Sequence, residues 1–231
     1  MGSKERLIEA TSELLWERGY AATSPHDIMA LAGVGQGSMY HHFSGKHDLA
    51  VQALRLSIER AMDANGLLDS AAQPLERLRA NLFLPRPGVK GCRVGRMTQD
   101  PDVLADPELL GLVAEAFEQM HRKWAETIRE AIDAGQLPGN VDPDDLASAF
   151  QAVIQGGYVL AKASGDQAPM DAAMRGAAAL LDVAATSAAS QQPAITAESS
   201  LDQILRHGVD GGEDMAATPA NRSGGNRLGA H

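Results

Sequence analysis

Residues 23–49, TSPHDIMALAGVGQGSMYHHFSGKHDL, carry the signals for two short helices, the turn between them and the start of a third helix. Ser24 and Asp27 have the spacing of a capping box, which marks a helix start. Gly33 follows an apolar stripe at the position where a left-handed residue ends a helix. The pattern predicts a helix-turn-helix, with a second helix over residues 36–42 that is free to enter the major groove of DNA.

The segments on either side of this stretch complete a small helical domain. Residues 3–18 place apolar side chains at helical spacing, and an amphipathic stretch runs from Lys46 to about Asn65. Together with the two short helices, these segments bury one shared core, to which Phe43 contributes. We therefore predict a three-helix, helix-turn-helix DNA-binding domain over residues 1–62.

Several motifs occur together in this part of the chain. They are Leu14-Leu15-Trp16-Glu17-Arg18-Gly19-Tyr20, Thr23, Ile28, Ala32-Gly33-Val34, Gly37-Ser38-Met39-Tyr40-His41-His42-Phe43 and Lys46. With these motifs at this spacing, residues 4–62 resemble the amino-terminal domain of TetR/AcrR-type transcriptional regulators. The resemblance implies a homodimer that binds a double-stranded DNA operator and has a second, ligand-sensing domain for a small-molecule effector.

The resemblance also implies roles for single residues. Those expected to face base edges are Gln36, Ser38 and Met39, with Gly37 on the same DNA-binding surface. Those expected at phosphates are Ser24, Tyr40, His41 and Lys46. The residues themselves agree for Lys46, because a cation at a helix start opposes the macrodipole and an anionic partner explains it better.

The same side chains allow structural interpretations. Tyr40 and Phe43 are candidates for core aromatics; we accept this for Phe43, whereas Tyr40 can pack its ring and expose its hydroxyl. The histidines at positions 26, 41, 42 and 47 are close in sequence, but no paired carboxylate or cysteine completes a metal ligand set. We predict no metal, and we assign His42 to hydrogen-bonded support of its helix.

The net charge of −10 argues against DNA binding at first, since proteins that bind nucleic acids are usually basic. Residues 1–60, however, hold six Lys or Arg against seven Asp or Glu, so most of the acidic excess lies downstream. A near-neutral domain can still present a basic edge to DNA. We expect modest, strongly salt-dependent binding that needs dimerisation to double the contacts.

Length and composition limit the class of protein. A chain of 231 residues with 44% hydrophobic residues can bury a sizeable core. The sequence has no segment that approaches a membrane span and begins with a polar helix rather than a signal peptide, and its single cysteine excludes an internal disulfide. We therefore expect a cytoplasmic protein without membrane contact.

Downstream of residue 62 the sequence stays helical, and the fold class predicted for the whole chain is all-α. Asp-Pro pairs at 100–101, 106–107 and 142–143 place a capping acid before a proline at a helix start. Candidate helices cover residues 74–84, 107–134, 143–163 and 169–188. Residues 63–189 would form a ligand-binding and dimerisation domain whose last two helices form the dimer, unless those helices serve only the core of their own domain.

Large side chains in the middle helices suggest an apolar effector pocket with a few polar groups. The candidates are Phe83, Cys92, Met97, Phe117, His121, Trp124 and Tyr158, with Gln155 as a further polar group. Aromatics at helical spacing are more often core. The glycine-rich, basic stretch 85–97 is either a mobile gate or an ordinary loop, and Cys92 is either a reactive thiolate or, as we favour, structural.

The sequence favours a ligand-responsive transcriptional regulator, and we predict that it acts as a repressor. No catalytic residues and no cofactor are predicted. An enzyme acting through Cys92 and an interaction protein that has lost DNA binding are the rivals, and the residues offer less support for either. From residue 190 to 231 the composition shifts to Gln, Ser, Gly, Asp and Ala, which predicts a disordered tail.

Overall fold

The computed structural model describes residues 1–191, and this part of the chain is all-α, as predicted. Its helices are α1 (Ser3–Arg18), α2 (Pro25–Ala32), α3 (Gln36–His42), α4 (Lys46–Ala64), α5 (Pro74–Leu82), α6 (Pro101–Leu104), α7 (Pro107–Asp133), α8 (Pro143–Ser164) and α9 (Ala168–Gln191). Short 3-10 turns cover Gly66–Asp69, Gly88–Lys90 and Gly95–Gln99. The predicted disordered tail lies outside the described residues, apart from residues 190–191, which complete α9.

The predicted capping signals are present in the helix-turn-helix. The hydroxyl of Ser24 accepts the backbone N–H of Asp27, and the Asp27 carboxylate accepts the backbone N–H of Ser24. Gly33 ends α2 with a left-handed φ of 62°, which a glycine adopts without a Cβ penalty. A small core joins α1 to α4. Its buried members are Leu7, Ala10, Leu14, Ile28, Ala32, Met39, Phe43 and Leu49.

The three Asp-Pro pairs also begin helices, as predicted. The carboxylates of Asp100, Asp106 and Asp142 each accept two backbone N–H groups in the first turn of α6, α7 and α8. Each proline fits there because the first turn needs no N–H from it. The long helices consequently begin and end within three residues of the predicted bounds.

Two further cores hold the rest of the described chain together. In one, Trp124 of α7 lies 5.1 Å from Phe150 of α8, measured between ring centroids. A Cβ built on Gly157 would lie 2.6 Å from Sδ of Met170, so this glycine allows α8 and α9 to approach closely. The other core joins α4 to α7 and the segment between α5 and α7, so buried contacts continue across the predicted domain boundary at residue 62.

No helix among residues 1–191 combines the length and the hydropathy that a bilayer crossing needs.

Candidate functional site

Helix α3 presents a polar face to solvent. Gln36, Gly37 and His41 are exposed, Tyr40 is about half exposed, and Ser38 is partly buried. Gln36 and Tyr40 lie on one face because they are four residues apart, and Gly37 and His41 lie beside them for the same reason. These five predicted DNA-contact residues therefore form one accessible surface.

Met39 is the exception, and its predicted contact with base edges is wrong. Its side chain is fully buried in the core with Ile28 and Phe43. At 100° per residue, the five residues of this surface cover an arc centred on Gly37, and position 39 lies nearly opposite the centre of that arc, toward the domain interior. Met39 therefore anchors α3 instead of reading DNA.

The orientation of α3 is also fixed by His42. The Nε2 atom of His42 lies 2.9 Å from the hydroxyl of Ser3, at the start of α1. This confirms the assignment of His42 to hydrogen-bonded support. Among the described residues, no group of three potential His, Cys, Asp or Glu ligands is arranged for a metal ion.

Two of the predicted phosphate contacts already have partners in the protein. The ammonium group of Lys46 lies 4.1 Å from the ring centroid of Tyr20, a cation–π contact that the sequence analysis did not anticipate. The Ser24 hydroxyl donates a 2.6 Å hydrogen bond to Asp27, and this bond lowers the pKa of the Asp27 carboxyl. The phosphate roles of Lys46 and Ser24 remain predictions.

A cavity of about 290 Å³ lies between the segment after α5 and helix α8. Its lining residues are Lys90, Gly91, Cys92, Gly95, Arg96, Gln99, Gln155, Tyr158, Val159, Lys162 and Ala163. Two predicted effector contacts, Cys92 and Tyr158, meet here together with Gln155. Burial raises the pKa of Tyr158 to about 12, so its hydroxyl stays protonated and can donate a hydrogen bond at neutral pH.

The other predicted effector contacts lie elsewhere. Met97 and Trp124 are fully buried in the two cores, and Phe117 packs beside Met97, so the alternative interpretation as core residues is correct for all three. Phe83 is mostly exposed and borders a separate hollow against α9. His121 lies within hydrogen-bonding distance of the carbonyl of Asp144 and the hydroxyl of Ser148 instead of facing the cavity.

The sequence analysis missed the basic side chains of the cavity, Lys90, Arg96 and Lys162. The signal for Lys90 and Arg96 was the run of basic residues between glycines at 88–96, which we interpreted only as a gate or a loop, whereas Lys162 lies on α8, outside that run. Cys92 is half-buried, and its sulfur accepts the backbone N–H of Gly95 at 3.2 Å. This contact supports the structural interpretation of Cys92.

The cavity wall is bonded to α1 of the helix-turn-helix domain. The indole Nε1 of Trp16 donates to the carbonyl of Gly91 at 2.9 Å, and Arg93 pairs with Glu13 at 2.8 Å. Further along, Arg96 donates to the carbonyl of Arg18 at 2.9 Å. The stretch 85–97 is therefore held against α1, and it joins the cavity to the helix on which α2 and α3 pack.

Two further contacts join residues 1–62 to the chain that follows this segment. The backbone N–H of Ala21 donates to the Asp100 carboxylate at 3.0 Å, and Nε2 of His47 on α4 lies 2.9 Å from Asp106 at the start of α7. Hydrogen bonds from Leu109 and Glu108 and the neighbouring His47 hold the pKa of Asp106 below its usual range. Asp100 and Asp106, which cap α6 and α7, therefore also contact the helix-turn-helix domain.

A solvent-facing recognition helix joined to a helical domain with its own cavity defines a DNA-binding transcriptional regulator with a regulatory domain. Comparison with known families agrees. Residues 7–64 match the bacterial regulatory proteins of the tetR family, and residues 74–177 match the tetracyclin repressor-like C-terminal domain. The chain belongs to the TetR family of transcriptional regulators.

Individual relatives show the same assignment. The transcriptional regulator AcuR of Cereibacter sphaeroides is 33% identical over 167 residues, which cover 68% of this chain and 75% of AcuR. The repressor DhaR of a Mycobacterium species is 29% identical over 73% of this chain and 86% of its own length. A crystal structure of a regulatory protein TetR from Rhodobacter sphaeroides superimposes with a TM-score of 0.66 at 30% identity, covering 75% of this chain and 96% of that one.

Proposed function

We propose that this protein is a homodimeric, ligand-responsive repressor that binds a palindromic operator and is released by a small-molecule effector. The observation that carries the proposal is the bonded connection between the cavity wall and α1, with Arg96 on the carbonyl of Arg18. A ligand that moves the wall would move the helix that supports α2 and α3. By linkage, an effector that prefers the moved state lowers the affinity for DNA.

The exposed face of α3 supports the DNA-binding part of the proposal. In this proposal Gln36 and Ser38 read base edges, while Tyr40, His41 and Lys46 contact phosphates. The exposure of Gln36, Tyr40 and His41 supports these roles. A helix of this length fits the major groove of B-DNA, and two copies would reach successive grooves about 34–36 Å apart. DNA binding also places the protein where the chromosome is, which for a bacterial regulator is the cytoplasm.

Exposed apolar residues on α8 and α9 support dimerisation. Leu180 and Val183 are 70% and 65% exposed, and Val159 and Leu160 are each 58% exposed. The inner faces of the same helices are buried in their own core, so a dimer would use their outer faces. Leu180 and Val183 share one face of α9 because they are three residues apart, and exposed apolar side chains on one face favour an interface.

The relatives DhaR and AcuR are named as a transcriptional repressor and a transcriptional regulator, which favours a regulator over the rival enzyme. The test of the proposal is selection of the purified full chain against a random duplex library, followed by salt-titrated affinity for the winning sequence. We expect a two-fold symmetric site with half-sites one helical turn apart. A folded chain that enriches no sequence at low salt would overturn the proposal.

A further inference from the structure

The lining of the cavity between segment 90–99 and α8 is positively charged. It contains Lys90, Arg96 and Lys162, and none of its lining residues is acidic. Lys90 is partly satisfied, since its ammonium lies 3.7 Å from Glu13 and above the ring of Trp16. Among residues 1–191, neither Arg96 nor Lys162 forms an ion pair. Two cations without an ion-pair partner therefore face one small cavity. The nearest carboxylate to Arg96 on this side is that of Asp100: a Cβ built on Gly19 would lie 2.6 Å from its Oδ2 and 3.7 Å from a terminal nitrogen of Arg96, but Oδ2 already accepts the backbone N–H of Ala21.

Arg96 also has an incomplete set of hydrogen bonds. One of its terminal nitrogens donates to the carbonyl of Arg18, but its Nε is buried and has no partner in the described part of the chain. A buried donor without an acceptor is unfavourable, and guanidinium groups pair best with the two oxygens of a carboxylate or phosphate. A carboxylate or phosphate oxygen would supply the acceptor that Nε of Arg96 lacks.

Lys162 reaches the same place from α8. A Cβ built on Gly91 would lie 3.8 Å from the Nζ atom of Lys162, so the ammonium crosses from α8 to the opposite wall of the cavity. The guanidinium of Arg86 adds to the positive potential. It donates to the carbonyls of Asn81, Leu82 and Leu84 and not to a carboxylate.

Burial lowers the pKa of Arg86, and its electrostatic neighbours include Tyr158 and Cys92, both of which line the cavity. The Tyr158 hydroxyl is itself a donor, as shown above. The polar atoms around the cavity are consequently weighted toward donors and positive charge, while Val159 and Ala163 supply a small apolar patch.

We propose that the effector is a small anion, with a carboxylate or phosphate group held by Arg96 and Lys162 and a short apolar part against Val159 and Ala163. To bind this group, Arg96 leaves the carbonyl of Arg18 and thereby loosens the cavity wall from α1. The inference rests on the proposed function, of which it names the ligand class and the switching contact.

The test uses the full chain without DNA, with benzoate, phenyl phosphate and neutral benzamide at an ionic strength held constant with NaCl. Trp16 reports on the site, because its indole is bonded to Gly91 of the cavity wall, and melting temperature is the second readout. We expect at least one anion to bind saturably and roughly tenfold or more tightly than benzamide, as for a charge-assisted hydrogen bond. The better anion identifies the preferred group. Equal behaviour of all three probes overturns the proposal.

Substitutions locate the binding. Arg96→Gln and Lys162→Gln should each weaken binding of the preferred anion about tenfold, and Arg96→Lys should weaken it less. Arg122→Gln is the matched control, because Arg122 is an exposed arginine of α7 that pairs only with Glu118. Lys162 makes no polar contact within residues 1–191, so its variant stays informative if Arg96→Gln fails to fold. The assignment is overturned if folded Lys162→Gln binds the anion as tightly as the wild type does and Arg96→Gln either binds it unchanged or does not fold.

The switching contact is tested by adding the preferred anion to the complex with the selected duplex. We expect DNA release by the wild type and a much smaller effect on the Lys162→Gln variant. A chain that binds the anion but selects no duplex contradicts the proposed function and leaves the anion site standing. A chain that binds both, with DNA affinity unchanged by the anion, overturns the role given to the bond between Arg96 and Arg18.

Discussion

The guanidinium of Arg96, in the wall of the cavity, donates a 2.9 Å hydrogen bond to the main-chain carbonyl of Arg18, the last residue of α1. Helix α1 packs on α2, α3 and α4 through the core of the helix-turn-helix domain. The bond therefore links a side chain that faces the cavity to the scaffold that holds the recognition helix. Such a contact can exist in one state and be absent in the other, which is what a ligand-driven switch requires.

The burial of Met39 predicts a loss of stability rather than a change of DNA sequence preference. Met39→Ala removes a fully buried side chain, and we expect the free energy of unfolding to fall by about 2–5 kcal/mol. Chemical denaturation of the variant and the wild type measures this difference. Gln36→Ala is the matched control on the exposed face and should change stability by no more than about 0.5 kcal/mol. If Met39→Ala is as stable as the wild type and prefers a different operator, Met39 contacts base edges after all.

The position of Lys46 predicts weaker binding to every duplex. Lys46→Ala should lower affinity for all sequences alike and reduce the slope of log affinity against log salt by about one, the value for one phosphate contact. Fluorescence anisotropy at several salt concentrations gives both quantities. Lys123→Ala is the control, because Lys123 lies outside the helix-turn-helix domain and pairs with Asp69, which also lies outside it. An unchanged affinity and slope would show that Lys46 contacts no phosphate and only packs on Tyr20.

The surroundings of Gly88 predict that the stretch 85–97 packs tightly on α8 and α9. A Cβ at this position would lie 2.8 Å from Cβ of Met170 and 2.9 Å from Cβ of Ala161, so Gly88→Ala should cost about 1–3 kcal/mol by overpacking. Thermal and chemical unfolding measure the cost. Gly111→Ala, in α7 with no atom within 4 Å of the new methyl group, should instead stabilise by about 0.5–1 kcal/mol. Equal effects of the two substitutions would contradict the close packing.

The exposed apolar face of α8 and α9 predicts an interface between two copies. Leu180→Glu should shift the protein toward the monomer while its helical content stays unchanged, because a buried charge without a partner opposes association. Analytical ultracentrifugation gives the mass, and circular dichroism gives the helical content. Leu104→Glu, at an exposed leucine outside both helices, is the control. A wild-type chain that sediments as a monomer would contradict the prediction.

Local signals predicted the helices well. The Asp-Pro pairs and the capping box of Ser24 and Asp27 act within a few residues, and their chemistry is the same in any fold. The accessible helix over residues 36–42 followed from the helix-turn-helix pattern, and the DNA contacts of single residues followed from the family resemblance. The same resemblance misplaced Met39, because it supplies positions in a motif and does not report which side of this helix is buried.

The cavity could not be predicted in the same way. Arg96 and Lys162 are distant in sequence and meet only because segment 90–99 folds against α8. The aromatic candidates Trp124 and Phe117 instead filled the cores, since their apolar area is most stable away from water. The bond between Arg96 and the carbonyl of Arg18 leaves no sequence signal, because any residue at position 18 offers that carbonyl.

The proposed function depends on two copies of α3 reading one operator together. The most direct measurement is the stoichiometry and affinity of the full chain on the duplex enriched by selection, compared with the same duplex in which one half-site is scrambled. We predict two protomers on the intact duplex and a large loss of affinity on the scrambled one, since half of the base contacts disappear. Equal affinity for the two duplexes, or one protomer bound on the intact site, would contradict the account.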